Sequence, residues 1–134
     1  MSTKHTLPIQ IRFNDVDQMG HVNNAVIMEY FDLGKERFFQ EHGMPPEKND
    51  FTVMIVHFEV DFQSQIRFHD RIAVETWIES IGNKSLKVMQ RVVDSEGGRV
   101  CATCRTVMSG YRRSTGRSEI IPPELRTLLE KEIQ

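Results

Sequence analysis

The sequence has no long apolar run. Its longest are the four-residue stretches Ala25–Met28 and Val53–Val56, whereas a membrane-spanning helix needs about 20 apolar residues, so no membrane insertion is expected. The N-terminal segment MSTKHTLPIQ lacks the apolar core of a signal peptide. Only two cysteines occur in 134 residues. That is too few for a disulfide framework, and with no export signal the expected compartment is the reducing cytoplasm. Basic charge is not in excess either: 17 Lys and Arg against 19 Asp and Glu leave a net charge of −2. This argues against a nonspecific nucleic-acid binder. Repeats, low-complexity tracts and linkers are missing too. What remains is the composition of a globular chain, 39% hydrophobic and 27% charged, of a length that suits one domain spanning 1–134. A chain of this size buries about two thirds of its unfolded surface and needs no disulfide or structural metal to fold.

Asn24–Glu41 carries the one long helical pattern. Ile27, Tyr30, Phe31 and Phe38 recur at helical spacing with Val26 and Leu33 beside them. Asn23 is placed to cap its start, and Gly43, Pro45 and Pro46 follow its end. At 1.5 Å per residue the helix is about 27 Å long. Gly34 falls inside the apolar stripe, where glycine costs about 1 kcal/mol against alanine; close packing of a sheet or another backbone at that point would explain it. Strand patterns surround the helix. Thr6–Phe13 precedes it, with Leu7, Ile9, Ile11 and Phe13 alternating. Asn14–Asn23 is a polar loop. Val53–Phe62 follows, with Val56, Phe58, Val60 and Phe62 on one face and His57, Glu59 and Asp61 on the other. Arg71–Ile81, Lys84–Ser95 and Arg99–Tyr111 are joined by Gly82-Asn83 and Glu96-Gly97-Gly98, which are hairpin signals. Pro122-Pro123 opens a short helix carrying Leu125, Leu128, Leu129 and Ile133. The fold class is α+β: one long helix against a mainly antiparallel sheet. One helix covers one face, so the edges and the other face call for at least a dimer.

The densest polar cluster is Arg12-Phe-Asn-Asp15-Val-Asp17-Gln-Met-Gly20-His21-Val-Asn23-Asn24, between a strand and the N-terminus of the long helix. Backbone N–H groups there lack intrahelical acceptors and the helix dipole is positive. Such an end can polarise a carbonyl oxygen, and a carboxylate beside it supplies a nucleophile or base, the parts of ester or thioester hydrolysis. The plainer alternative is that Asp15, Asp17 and Asn23 only satisfy loop and cap N–H groups. Asp-x-Asp also suggests a metal, but no calcium-loop spacing continues it. His21 is either an acid/base or a loop hydrogen bonder. His57, Glu59 and Asp61 face either solvent or another subunit. Cys101-Ala-Thr-Cys104 has redox spacing, but on a strand residues three apart point to opposite faces, so these thiols are read as ordinary strand residues. Lys84-Ser85 and Arg112-Arg113 are suited to phosphates or are solvated turns. Trp77 reads as core or interface filler.

The run Arg12 to Asn24, followed by a helix with Tyr30 and Arg37, resembles the hot-dog-fold acyl-CoA thioesterases, in the 4-hydroxybenzoyl-CoA thioesterase-like branch. Glu59-Val-Asp-Phe62 to Asp70, Ile81-Gly-Asn-Lys-Ser85, and Ser114-Thr-Gly116-Arg with Ile121-Pro122 extend the likeness, in order, from about Ile9 to Arg126. The resemblance implies a long central helix wrapped by a curved antiparallel sheet, a homodimer or homotetramer, and active sites shared between subunits. It implies Asp17 as the catalytic carboxylate, the helix N-terminal amide near Asn24 facing the thioester oxygen, and Lys84 and Ser85 contacting the CoA arm. Ile27 stands where many members have Tyr, Gln65 where many have Pro, and His69 where Gly usually precedes Asp70. These departures bear on the acyl pocket and on the strand connection.

The expected reaction is hydrolysis of an acyl-CoA to free acid and CoA. Asp17 attacks the carbonyl or activates water, with His21 as a possible orienting residue and no metal or redox cofactor. Two rivals stand beside it. An acyl-thioester hydratase or dehydratase would pair Asp17 with His21 or His57 and would change an enoyl chromophore without releasing thiol. A non-catalytic acyl-CoA-binding module would bind tightly and yield no product.

Overall fold

The computed structural model describes residues 4–43 and 50–134. In chain order the elements are β1 (His5–Ile9), α1 (Asn24–Glu41), β2 (Phe51–Phe62), β3 (Ile72–Ile81), β4 (Ser85–Asp94), β5 (Val100–Arg112), β6 (Arg117–Ser118) and α2 (Pro123–Glu130). The strands form one antiparallel sheet in the order β1-β3-β4-β5-β2, with β6 continuing beside the end of β5. β1 and β2 are therefore opposite edges of the sheet, although only α1 and its flanking loops separate them in sequence. The chain has to cross the sheet between them, and α1 makes that crossing over β1, β3 and β4.

α1 begins and ends as the pattern predicts. The Asn23 side chain accepts the Ala25 amide at 2.7 Å, and Gly43 follows the last turn at φ 77°. Pro45 and Pro46 lie outside the described residues. The buried face is Ile27, Tyr30, Phe31, Gly34, Lys35, Phe38 and Phe39, spaced three and four apart as a core-facing stripe requires. Leu33, expected beside that stripe, is instead exposed. Lys35 lies on the stripe and is satisfied there: its ammonium donates to Gln90 Oε1 at 3.2 Å and lies 3.5 Å from Asp32. The Gln90 amide in turn donates to the Phe31 carbonyl and to Thr76 Oγ1, both at 3.0 Å. This network ties helix to sheet at mid-core, where an unpaired polar group would be costly.

Gly34 marks the point of closest approach. A Cβ there would lie 2.7 Å from Val74 Cγ1 and 2.9 Å from Gln90 Nε2. Val74 is fully buried and Gln90 is held by its bonds, so neither can give way cheaply. The close approach expected from the sequence is thus present.

Three local patterns depart from expectation. β1 stops at Ile9, because Arg12 donates its amide to Asp15 Oδ2 at 2.9 Å and the chain turns into a 3₁₀ turn at Phe13–Asp15. Phe13 is left 82% exposed. In β2 the register with β5 shifts between Ile55 and His57, so Val56 is a bulge. The helix-facing partners of the buried β5 residues are then Ile55, Phe58, Val60 and Phe62. His57, Glu59 and Asp61 pair on the outer face. In β5 a second shift, opposite Val92 and Val93, turns Cys101 inward. Cys101, Ala102 and Cys104 all enter the same core cluster, although strict alternation would have separated the two thiols. Both remain free cysteines, and burial pushes both thiols up from their ordinary value, which keeps them protonated and unreactive.

Pro122 takes the cap position of α2 and Pro123 its first turn. Leu125 and Leu129 bury against Phe38, Ile78 and Leu86 in a second cluster. Leu128 is exposed, and Ile133 bridges to Ile78.

Replacing Gly34 with alanine gains about 1 kcal/mol in helix propensity but overpacks the Val74–Gln90 contact, at about 1–3 kcal/mol. The G34A variant is expected to unfold at lower denaturant concentration than the wild type with an unchanged m-value, measured by urea titration. Equal or greater stability would contradict the close packing at this position.

Candidate active site

Asp15 and Asp17 are two residues apart and have different surroundings. Asp15 is 1% exposed. Its carboxylate accepts the Arg12 amide at 2.9 Å, the Arg12 guanidinium Nε at 3.1 Å and the Tyr30 hydroxyl at 2.7 Å. Burial would raise its pKa, but these hydrogen bonds and the Arg12 charge outweigh burial and hold the carboxyl below the ordinary value. The Tyr30 hydroxyl, desolvated and bonded to that carboxylate, is pushed well up. Asp15 therefore fastens the loop to the second turn of α1. The Asn23 amide also donates to the Asp15 carbonyl at 3.0 Å, which sets where the helix begins.

From that anchor the chain makes a tight excursion. Val16 bridges Val22, the Asp17 amide donates to the His21 carbonyl at 2.9 Å, and Gly20 turns the chain at φ 81°, a backbone conformation that favours glycine. Asp17 sits at the base of this turn. Its Oδ1 accepts the Met19 amide at 2.9 Å and the His21 amide at 3.2 Å. Among the described residues Oδ2 accepts no hydrogen bond. His21 thus holds Asp17 through its main chain, and its half-buried imidazole makes no hydrogen bond to a described residue.

The opposite wall is the segment that leaves β2. Val22 donates its amide to the Ile66 carbonyl at 2.8 Å, which closes the floor. Between the walls lies a cleft of about 480 Å³ lined by Asp17, His21, Asn23, Asn24 and Ile27 on one side and Phe62, Gln63, Ser64 and Gln65 on the other. Of the first-turn amides of α1, that of Ala25 is taken by the Asn23 cap, and those of Val26 and Ile27 by the Asn23 carbonyl. Among the described residues the Asn24 amide has no acceptor. Asp17, with one carboxylate oxygen unbonded, and Asn24, with its main-chain amide unbonded, therefore line one cleft.

Asp17, His21 and Asn24 line one cleft, and two positions noted as departures, Ile27 and Gln65, line it with them. Lys84 and Ser85 are not brought there. They form the turn into β4, where the Lys84 carbonyl accepts the Gly110 amide at 2.6 Å. The cleft lies toward the other end of that ten-residue strand, roughly 30 Å away at strand rise. His57 points from the outer face of β2 and does not line the cleft. Among the described residues no three His, Cys, Asp or Glu side chains are grouped to hold a metal ion.

Sequence reasoning missed Arg99. Its guanidinium donates to the Gln65 carbonyl at 2.9 Å and reaches Asp70 at 3.1 Å and Asp94 at 3.4 Å, so it braces the far wall from the β4–β5 hairpin. Its partners lie up to 35 residues away in sequence, and no local signal reveals them.

Among the described residues, a six-stranded antiparallel sheet crossed by one long helix places the fold in the hot-dog class. The chain belongs to the thioesterase-like superfamily, whose family model matches residues 11–129. Solved structures agree. A predicted thioesterase from Bacillus stearothermophilus is 29% identical, with a TM-score of 0.88 over 98% of this chain and 98% of that one. The PA5185 protein of Pseudomonas aeruginosa is 27% identical, at 0.90 over 97% and 92%. A thioesterase from Thermus thermophilus, solved with coenzyme A and zinc, is 28% identical, at 0.81 over 94% and 91%. No described helix is long and apolar enough to cross a membrane.

Replacing Asp15 with asparagine removes the charge that Arg12 and Tyr30 are built around. Hydrogen bonds to a charged group are worth about 1.5–3 kcal/mol each, so D15N is expected to lose on the order of 2 kcal/mol at neutral pH. Because the folded pKa is depressed, this stabilisation is complete above the unfolded value, about 3.9. It is lost as pH falls through the lower folded value. The stability gap between wild type and D15N should therefore shrink below about pH 4, as read by thermal unfolding across pH. A gap independent of pH would contradict the assignment.

Proposed function

We propose that the protein hydrolyses an acyl-CoA thioester to the free acid and coenzyme A, with Asp17 as nucleophile or general base and the N-terminus of α1 as the oxyanion site. The observation that carries this reading is the pairing in one cleft of the free Asp17 Oδ2 with the free Asn24 amide. The superfamily and the coenzyme A held by the Thermus thermophilus structure support the substrate class.

The thioester carbonyl oxygen is set against the Asn24 amide, where the helix dipole adds to the hydrogen bond. As carbon becomes tetrahedral the oxygen takes negative charge, and a preorganised donor of this kind is worth about 2.7–4 kcal/mol. In one route Oδ2 bonds to the carbonyl carbon, the C–S bond breaks, and CoA leaves as thiolate and takes a proton. Water then splits the mixed anhydride, releasing the acid and restoring the carboxylate. In the other route Oδ2 takes a proton from water as that water's oxygen bonds to the carbonyl carbon; the tetrahedral intermediate then collapses with cleavage of the C–S bond, and the departing thiolate takes that proton, which restores the carboxylate. A carboxylate suffices because the leaving thiol is acidic, with a pKa of about 8.5. Met19 and His21 serve both routes by holding Oδ1, which aims Oδ2. Free buried thiols suit a reducing compartment, and we place the activity in the cytoplasm.

A second copy completes the site. β2 is an edge strand whose Ile55, Phe58 and Phe62 are exposed on the helix side, Phe58 to 50%, and an edge of this kind invites another strand. Lys84 and Ser85 reach a cleft only from such a partner, in a homodimer or a homotetramer, and would there bind the CoA arm.

In a thiol-release assay with a panel of acyl-CoAs, D17N should keep the wild-type fold and lose about 10²–10⁴ in kcat. Undiminished turnover would remove Asp17 from the chemistry. Phe58→Glu should give a monomer by light scattering and lose turnover with it; an active oligomer would exclude the β2 edge as the interface.

A further inference from the structure

Asp17 borders two cavities. Besides the cleft shared with Asn24, its side chain helps to line a separate pocket of about 250 Å³ whose other walls are Phe13, Val16 and Phe68. The two differ in what they offer a ligand. In the larger cleft Val22, Ile27 and Ile66 are closed off, none more than 4% exposed, and Phe62 is the apolar side chain left open at its rim; the rest of its open surface is largely the amide and hydroxyl side chains of Asn23, Asn24, Gln63, Ser64 and Gln65. In the smaller pocket the apolar groups are the open surface. Phe13 is 82% exposed and Phe68 39%, with their rings edge to face at 6.4 Å between centroids.

Two aromatic side chains held in water beside a carboxylate lose hydrophobic free energy that a ligand would recover. The 3₁₀ turn that Asp15 enforces is what puts Phe13 there. Phe68 lies just after Arg67, which bridges to His21, so the pocket is tied to both ends of the Asp17 turn.

We propose that the Phe13–Val16–Phe68 pocket receives the apolar body of the acyl group, while the amide-lined cleft takes the amide-bearing arm of the thiol. This rests on the thioesterase reading and deepens it. The reacting carbonyl sits at Asp17, the residue that lines both cavities. The alkyl part turns toward the aromatic pair and the polar arm lies along Gln63, Ser64 and Gln65, where amide groups find partners that a hydrocarbon would leave unsatisfied. The pocket is small and open on one side, so it rewards an acyl body of several carbons over acetyl.

The test compares acetyl-, hexanoyl- and octanoyl-CoA on the full chain, in wild type, F13A and F68A. Thiol release measures turnover, and titration calorimetry on the D17N form of each measures binding. Wild type should favour octanoyl- over acetyl-CoA in kcat/KM. Each aromatic substitution should cut that ratio about tenfold or more, as expected for lost contacts to several methylenes, and the calorimetric preference should fall in parallel. Phe13 is almost wholly exposed, so F13A tests the pocket without burdening the core.

If wild type releases thiol and its chain-length ratio survives both substitutions, the pocket assignment fails and the hydrolase reading stands. If no acyl-CoA is hydrolysed but octanoyl-CoA binds more tightly than acetyl-CoA, and F13A and F68A abolish that difference, the hydrolase reading fails and the pocket stands. A change in oligomeric state with no change in selectivity would make Phe13 and Phe68 an interface between copies and overturn the proposal.

Discussion

The buried carboxylate of Asp15 is the constraint on which the rest of the site depends. It takes three kinds of donor at once: the Arg12 amide, the Arg12 guanidinium and the Tyr30 hydroxyl. A desolvated carboxylate is tolerated only when so compensated. Because Tyr30 is on α1 and Arg12 follows β1, one side chain joins the incoming strand to the second helical turn. The Asn23 amide on the Asp15 carbonyl then sets the first residue of the helix. Every later feature of the site is counted from that residue: which amide is capped, which is left free, and where the Asp17 turn must close.

Chemistry of the kind proposed needs a carboxylate that keeps an oxygen unoccupied, and this loop supplies one by dividing labour between two aspartates. Asp15 spends its oxygens on structure. Asp17 gives Oδ1 to the Met19 and His21 amides and keeps Oδ2. The same economy operates at the helix start, where the Asn23 side chain and carbonyl absorb the Ala25, Val26 and Ile27 amides and leave that of Asn24. The two free groups are by-products of complete satisfaction around them, and their direction is therefore held by bonds to backbone, not by flexible side chains.

Much of this was legible in the sequence, for reasons that can be traced. The helix stripe from Ile27 to Phe38, the Asn23 cap and the packing reason for Gly34 follow from local periodicity and glycine cost, which act within a few residues. The D-x-D loop was legible as a cluster, and its role as a resemblance. What sequence pattern could not show were effects set across strands. Alternation carried β1 on to Phe13, because the pull of Asp15 on the Arg12 amide has no signature in hydrophobic period. The bulges at Val56 and beside Cys101 each shift alternation by one residue, which redirects the β2 apolar face and brings two cysteines into one cluster. Lys35 was unexpected in the core because its partner, Gln90, is 55 residues away. The bracing by Arg99 was hidden for the same reason.

The placement of Lys84 and Ser85 sharpens what a single copy of the chain can do. They lie a strand length from Asp17, on a turn held by Gly110 and Arg126, and no rearrangement short of unfolding β4 brings them closer. If these positions touch the substrate that Asp17 attacks, the geometry requires a second copy turned end for end. An antiparallel edge such as β2, paired with its own copy by a two-fold axis, reverses the strand direction across the interface. Cleft and turn then approach from opposite ends, which one copy alone cannot achieve. The apolar side chains that β2 leaves uncovered are on the face that would meet α1 of such a partner, so one surface can account both for the edge and for the missing part of the site.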